Sequence, residues 1–107
     1  MAAYLIVHRQ QITDPERLKQ YAKGVDDTIA RYSGRTVVRS DEFVPLEGVW
    51  HAGRHRDDSL PERITVIEFP DMAALKTWYN SREYPPLKRI RQEAAVCDVA
   101  AVDGRRP

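Results

Sequence analysis

The sequence predicts an α+β fold in which one antiparallel sheet carries helices on a single face. Three observations predict it. Runs with an apolar period of two alternate with runs of helical period, in the order strand, helix, strand, strand, helical pair, strand. The 107 residues suit one domain, since about 100–200 residues per domain is usual. Hydrophobic residues make up 42% and charged residues 31%, a balance too apolar and too mixed in sign for a disordered chain.

The first strand is read over Tyr4 to Gln10. Tyr4, Ile6 and His8 share one face and Leu5, Val7 and Arg9 the other, so apolar content on both faces marks a central strand. A helix follows. Either Asp14 caps it with Pro15 at the first helical position, or Thr13 caps it with Glu16 as its capping-box partner. Leu18, Tyr21, Ala22, Val25, Ile29 and Tyr32 form its apolar stripe, and Gly34 is placed to end it in a left-handed conformation.

Arg35 to Phe43 reads as the second strand around β-branched Thr36, Val37 and Val38. Val44 to Pro61, punctuated by Pro45, Gly48, Gly53 and Pro61, reads as a long loop or a distorted edge strand. Ile64 to Phe69 is a nearly continuous apolar strand. Pro70-Asp71 caps a second helix bearing Met72, Leu75, Trp78 and Tyr79. Ser81 starts a further helix to Ala95, with Pro85 and Pro86 in its first turn and Leu87, Ile90 and Ala94 as its stripe. Val96 to Val102 is the last strand, ended by Asp103-Gly104.

This order is βαββαβ with a split second helix, which is the ferredoxin-like plait with a four-stranded antiparallel sheet. One domain spans 1–104, with 105–107 as a disordered tail. The sheet's second face holds apolar residues on either assignment, Ile64 and Val66 or Thr65, Ile67 and Phe69. That implies a partner, and a C2 homodimer packing two sheets face to face is expected.

The 17 Lys and Arg against 16 Asp and Glu give a net charge of +1, which argues against a general binder of nucleic acid or anionic membrane. A single cysteine, Cys97, excludes an internal disulfide, and a buried inert thiol is its reading. The run Ala2 to Val7 is shorter than the ~7–15 apolar residues of a signal-peptide core, and no stretch approaches the ~18 of a membrane span. A cytoplasmic protein is the expectation. No P-loop, Rossmann glycine pattern, nucleophile elbow or CxxC is present, so no cofactor is expected.

Val66-Ile67-Glu68-Phe69-Pro70-Asp71-Met72, then Trp78-Tyr79-Asn80-Ser81-Arg82-Glu83-Tyr84 and Arg91, carry a family resemblance. They resemble the bacterial domain-of-unknown-function family numbered 1330, of the dimeric α/β-barrel superfamily. Thr13-Asp14-Pro15, Tyr21, Leu46-Glu47-Gly48-Val49-Trp50 and Val102-Asp103-Gly104 support the likeness, which spans nearly the whole chain. Ser33-Gly34 and Ser40-Asp41 stand where that family usually has paired glycines, and His51 to Glu62 is longer than is typical. The resemblance implies a dimeric barrel and no particular reaction. The superfamily includes cofactor-free monooxygenases, small isomerases and haem enzymes, so fold alone is weak guidance to chemistry.

Two groups carry candidate chemistry. His8 and Glu68 are read near the C-terminal ends of strands taken as parallel neighbours. If they share a face, the carboxylate orients the imidazole as a general base; otherwise His8 is a polar strand end. Tyr79, Ser81, Tyr84 and Arg91 form the second group. Arg91 falls seven residues after Tyr84 on one helix face and suits a substrate carboxylate or phosphate. In the structural alternative Glu83 or Glu68 pairs with Arg91, Ser81 caps the helix, and Trp78 and Tyr79 fill the core or a dimer seam. His51 and His55 with Asp57 and Asp58 do not suggest metal, because Gly53 disfavours a helix and Arg54 and Arg56 repel a cation. Arg54, His55 and Arg56 instead suit a solvated loop or an anion gate. Two functions stay open, with haem binding a third option by analogy with the superfamily the chain resembles. One is a small-molecule binder or cofactor-free enzyme using His8 or Glu68 as base and Arg91 as anion clamp. The other is a non-catalytic dimer whose motif residues hold the fold.

Overall fold

The computed structural model describes residues 1–48, 50 and 62–105. Its elements are β1 (Ala3–Ile12), α1 (Pro15–Arg31), β2 (Arg35–Ser40), β3 (Arg63–Phe69), α2 (Met72–Tyr79), α3 (Tyr84–Ala94) and β4 (Ala95–Asp103). The expected order is therefore present. The readings made on 51–61, including the two histidines and the two aspartates, lie outside the described residues, as do 106–107.

Local chemistry sets the helix ends. Asp14 is extended, and its carboxylate accepts the Arg17 N–H at 3.2 Å ahead of Pro15, so the Asp14 frame holds. At the other end Gly34 N–H bonds Ile29 C=O and Ser33 N–H bonds Ala30 C=O, the double closure of a Schellman motif. The left-handed residue of that closure is Ser33, at φ 65°, and not Gly34 as the sequence suggests. Gly34 serves a different need. A Cβ there would lie 2.6 Å from the Phe69 ring and 2.8 Å from Ile29 Cγ2. Asp71 caps α2 through the Ala74 N–H at 2.7 Å. The last helix starts at Tyr84, three residues later than expected, with Ser81 bonded backward to the Trp78 carbonyl.

The strand order is β2-β3-β1-β4, and every neighbouring pair is antiparallel. This confirms the ferredoxin-like plait and corrects two expectations. The sheet is open, with β2 and β4 at opposite edges, so the barrel implied by the family resemblance is not present. β1 and β3 are adjacent but run in opposite directions, because each βαβ unit places its parallel partner one strand further away.

One face of the sheet meets the helices. Ala3, Leu5, Ile67 and Phe69 pack there with Val25, Ile29, Leu75, Trp78 and Tyr84. Trp78 is fully buried, stacks on Tyr84 with ring centroids 4.1 Å apart, and donates its indole N–H to Thr28 Oγ1 at 3.0 Å. The other face bears Tyr4, Ile6, His8, Val38, Ile64, Val66, Glu68, Ala100 and Val102 by register. Val38 and Val102 are exposed there, and Trp50 lies over His8 at 4.9 Å between ring centroids. Among the described residues no helix is long and apolar enough to cross a membrane.

Candidate functional site

A cavity of about 330 Å³ lies between the helix-facing side of the sheet and α1. That volume sits at the small end of ligand pockets. Its walls are Val7, Thr65 and Ile67 from the sheet and Leu18, Val25 and Ile29 from α1. The same walls carry Arg9, Lys19, Arg39, Arg63 and Arg91, together with Tyr21 and Cys97. No carboxylate lines it among the described residues.

The strands position this polar end. Arg9 faces Arg63 across the β1–β3 ladder and Cys97 across the β1–β4 ladder, so the three side chains form one row. Like charges directly opposed in a sheet repel. Asp41, beyond the end of β2, accepts two hydrogen bonds from Arg63 at 2.6 and 3.1 Å and lies 3.8 Å from Arg9. The Arg63 hydrogen bonds hold the Asp41 carboxyl below its usual value, and Asp41 in turn raises Arg63. Burial, then the neighbouring Arg63, lowers the Arg9 value. Arg39 is held from outside by Asp26 at 3.0 Å.

Arg91 enters from the last turn of α3 and is only 7% exposed. Its Nε donates to Tyr84 Oη at 3.4 Å, and Tyr21 Oη lies 3.4 Å from the same hydroxyl. No carboxylate lies within ion-pairing distance of it among the described residues. Burial works against its charge, and the phenolic oxygens of Tyr84 and Tyr21 favour it and leave its value raised. Burial raises Tyr21, and it also raises Cys97 although Arg91 beside that thiol pulls the other way.

The site residues expected from sequence divide between the two faces. His8 and Glu68 do share a side of the sheet, the side away from the helices, but they do not meet. His8 pairs in register with Ile64, while Glu68 pairs with Tyr4, four residues back along β1. The parallel arrangement that would have joined them is absent. His8 Nε2 instead contacts the buried carboxylate of Glu62 and lies opposite Asp98 on β4. Glu68 accepts from Tyr4 Oη at 3.1 Å and from Arg35 Nε at 2.9 Å.

Arg91 and Tyr84 are brought together as expected. Glu83 bonds Tyr32 Oη at 2.8 Å and Glu68 bonds Arg35, so neither pairs with Arg91. Ser81 Oγ donates to the Trp78 carbonyl at 2.7 Å, closing the end of α2 rather than opening α3. Tyr79 stands at the rim of a shallower depression shared with Arg91, under Lys88 Nζ at 4.6 Å. Arg9, Arg63, Arg39 and Glu62 did not come forward as site residues from sequence. Arg9 carried a readable signal, because a charge in phase with Leu5 and Val7 must turn inward.

A family model described as a domain of unknown function, DUF1330, matches residues 2–105. No curated protein matches. Among solved structures, a protein of unknown function from Rhodopseudomonas palustris has a TM-score of 0.67 at 18% identity, covering 99% of this chain and 84% of that one. SnoaB, a cofactor-independent oxygenase from Streptomyces nogalater, has a TM-score of 0.65 at 12% identity, covering 99% and 95%. A dimeric protein of unknown function and ferredoxin-like fold from Bacteroides fragilis has a TM-score of 0.52 at 14% identity, covering 96% of each chain. At these identities the likeness establishes the plait and nothing finer. With the plait, the motif run through Tyr84 and Arg91, and a family match over almost its full length, the chain belongs to the DUF1330 family.

Proposed function

We propose that this protein binds a compact small molecule in the cavity between its sheet and α1. The observation that carries the reading is Arg91, a buried guanidinium that reaches an apolar cavity. Burying such a charge is costly unless something offsets it. The Tyr84 and Tyr21 hydroxyls offset part of that cost, and a ligand that accepts from Arg91 supplies the counter-charge they lack.

The rest of the motif has a structural task. Trp78, Glu83 and Tyr84 dock α2 and α3 onto the α1 end of the fold through Thr28, Tyr32 and Tyr21, and Ser81 closes the end of α2. Proton transfer at His8 and anion binding at Arg91 do not belong to one substrate in this reading, because the sheet lies between them. Similar folds include SnoaB, a cofactor-independent oxygenase, which is compatible with a ligand-binding cavity here.

The proposal includes a homodimer formed through the open sheet face. Exposed Val38 and Val102 beside Ile6, Ile64 and Val66 support it, as does the dimeric Bacteroides relative. The proposed setting is the cytoplasm, since a sole cysteine offers none of the disulfide framework that staples small secreted domains.

The test is a thermal-shift screen of neutral, anionic and cationic fragments against the wild type and Ala22→Trp. Ala22 lines the cavity from an exposed position on α1, so an indole there obstructs the space while the core stays intact. Expected is a set of fragments that raise the wild-type Tm and leave the variant unmoved. A screen in which no fragment separates the two proteins refutes the reading.

A further inference from the structure

The cavity is polar at one end and apolar at the other. Its polar end is the row Cys97, Arg9, Arg63, with Arg91 beside Cys97 from the helix layer. Val7 and Thr65 form the next inward-facing row, and Ile67 belongs to the one after, opposite Leu5. From the Arg9 level to the Ile67 level is four residues along β1, a span of about 13 Å at strand rise. Val25 and Ile29 close the apolar end from α1. Opposite charge is absent from the described lining, and the two aspartates that answer it, Asp41 and Asp26, hold Arg63 and Arg39 and do not line the cavity.

We propose that the ligand is a compact amphipathic carboxylic acid. Its carboxylate docks on Arg91 beside the Tyr21 hydroxyl, and its hydrocarbon body lies along Val7, Val25, Ile29 and Ile67. This rests on the small-molecule reading above and deepens it. A carboxylate is favoured over a phosphate for two reasons. Its two in-plane oxygens match the planar donor fork of one guanidinium. It also brings a single charge, which matches Arg91 alone, because Asp41 and Asp26 already answer Arg63 and Arg39, Asp41 lies 3.8 Å from Arg9 and Glu16 lies 3.5 Å from Lys19. A neutral ligand leaves Arg91 without a counter-charge, and a small inorganic anion leaves the apolar end unfilled.

The probes are 4-phenylbutyrate, its amide and 4-phenylbutyl phosphate, titrated by calorimetry into the wild type, Arg91→Gln, Arg91→Lys and Ala22→Trp. Far-UV circular dichroism confirms the fold of each variant. Expected is an acid that binds the wild type at least tenfold more tightly than the amide or the phosphate. Arg91→Gln erases that preference, Arg91→Lys restores part of it, and Ala22→Trp abolishes acid binding. An amide or phosphate that binds the wild type as tightly as the acid overturns the carboxylate assignment and leaves the small-molecule reading standing. So does a preference for the acid that survives in Arg91→Gln. Absence of acid binding at millimolar concentration also overturns the assignment. The broader reading fails separately, and only if the fragment screen does not distinguish wild type from Ala22→Trp.

Discussion

Asp41 restrains two arginines that the strand ladder sets against each other. Its bonds to Arg63 and its proximity to Arg9 offset a repulsion that β1 and β3 impose by register. Because the folded carboxyl titrates below its ordinary value of 3.8, its contribution is present above that pH and is lost as pH falls through the folded value. The pair is partly exposed, so the contribution is modest, about 0.2–1 kcal/mol. Asp41→Asn is expected to lower stability by that amount at pH 7 in urea denaturation, and the deficit is expected to close below the folded value. A deficit of equal size at pH 7 and pH 2 would contradict the assignment. The sequence disclosed part of this site. Arg91 stood out because the motif run led to it, whereas Arg9 was passed over although it is in phase with Leu5 and Val7. Arg63 and Glu62 did not stand out, because their significance depends on which residues face them across the sheet, and cross-strand register is not a local property.

The turn from α1 into β2 divides its work between two residues. Ser33 takes the left-handed conformation, and Gly34 leaves room for the Phe69 ring. Ser33→Gly is expected to be neutral or to stabilise by up to about 1 kcal/mol, since glycine removes the left-handed cost that a Cβ incurs. Gly34→Ala is expected to destabilise by about 1–3 kcal/mol, because the added methyl meets Phe69 and Ile29 at sub-contact distances. Thermal denaturation of the two variants side by side checks the division, and a Gly34→Ala protein as stable as the wild type would refute it. Sequence reading placed the start of α2 at Asp71 and offered Asp14 as one of two frames for α1, because a cap is a contact within one turn. It assigned the left-handed position to Gly34 because glycine is the usual occupant. What reserves glycine for position 34 is a ring on β3, 35 residues away, visible only once the sheet is assembled.

At the scale of the molecule, element order was enough to predict the plait, because short connections leave few ways to arrange two βαβ units. Barrel closure was a different kind of expectation. It depends on strand number, tilt and stagger, and four strands with β2 and β4 at opposite edges do not meet those conditions. The open face that results has a consequence for association. Val66 lies on β3, an inner strand, and points away from the helices between Ile6 on β1 and Val38 on β2. An apolar row there gives the fold no packing against its own helices, so its use in the proposed homodimer is to meet a second copy. A twofold interface carries each new charge twice, and two desolvated ammonium groups oppose docking. Val66→Lys is therefore expected to convert a dimer into a monomer in sedimentation velocity at micromolar concentration while keeping the far-UV spectrum. Lys23→Glu, exposed on α1 and remote from that face, is expected to stay dimeric. A wild type that sediments as a monomer across the micromolar range removes the homodimer. A Val66→Lys protein that stays dimeric moves the interface elsewhere, to the β2 or β4 edge or to the helix layer.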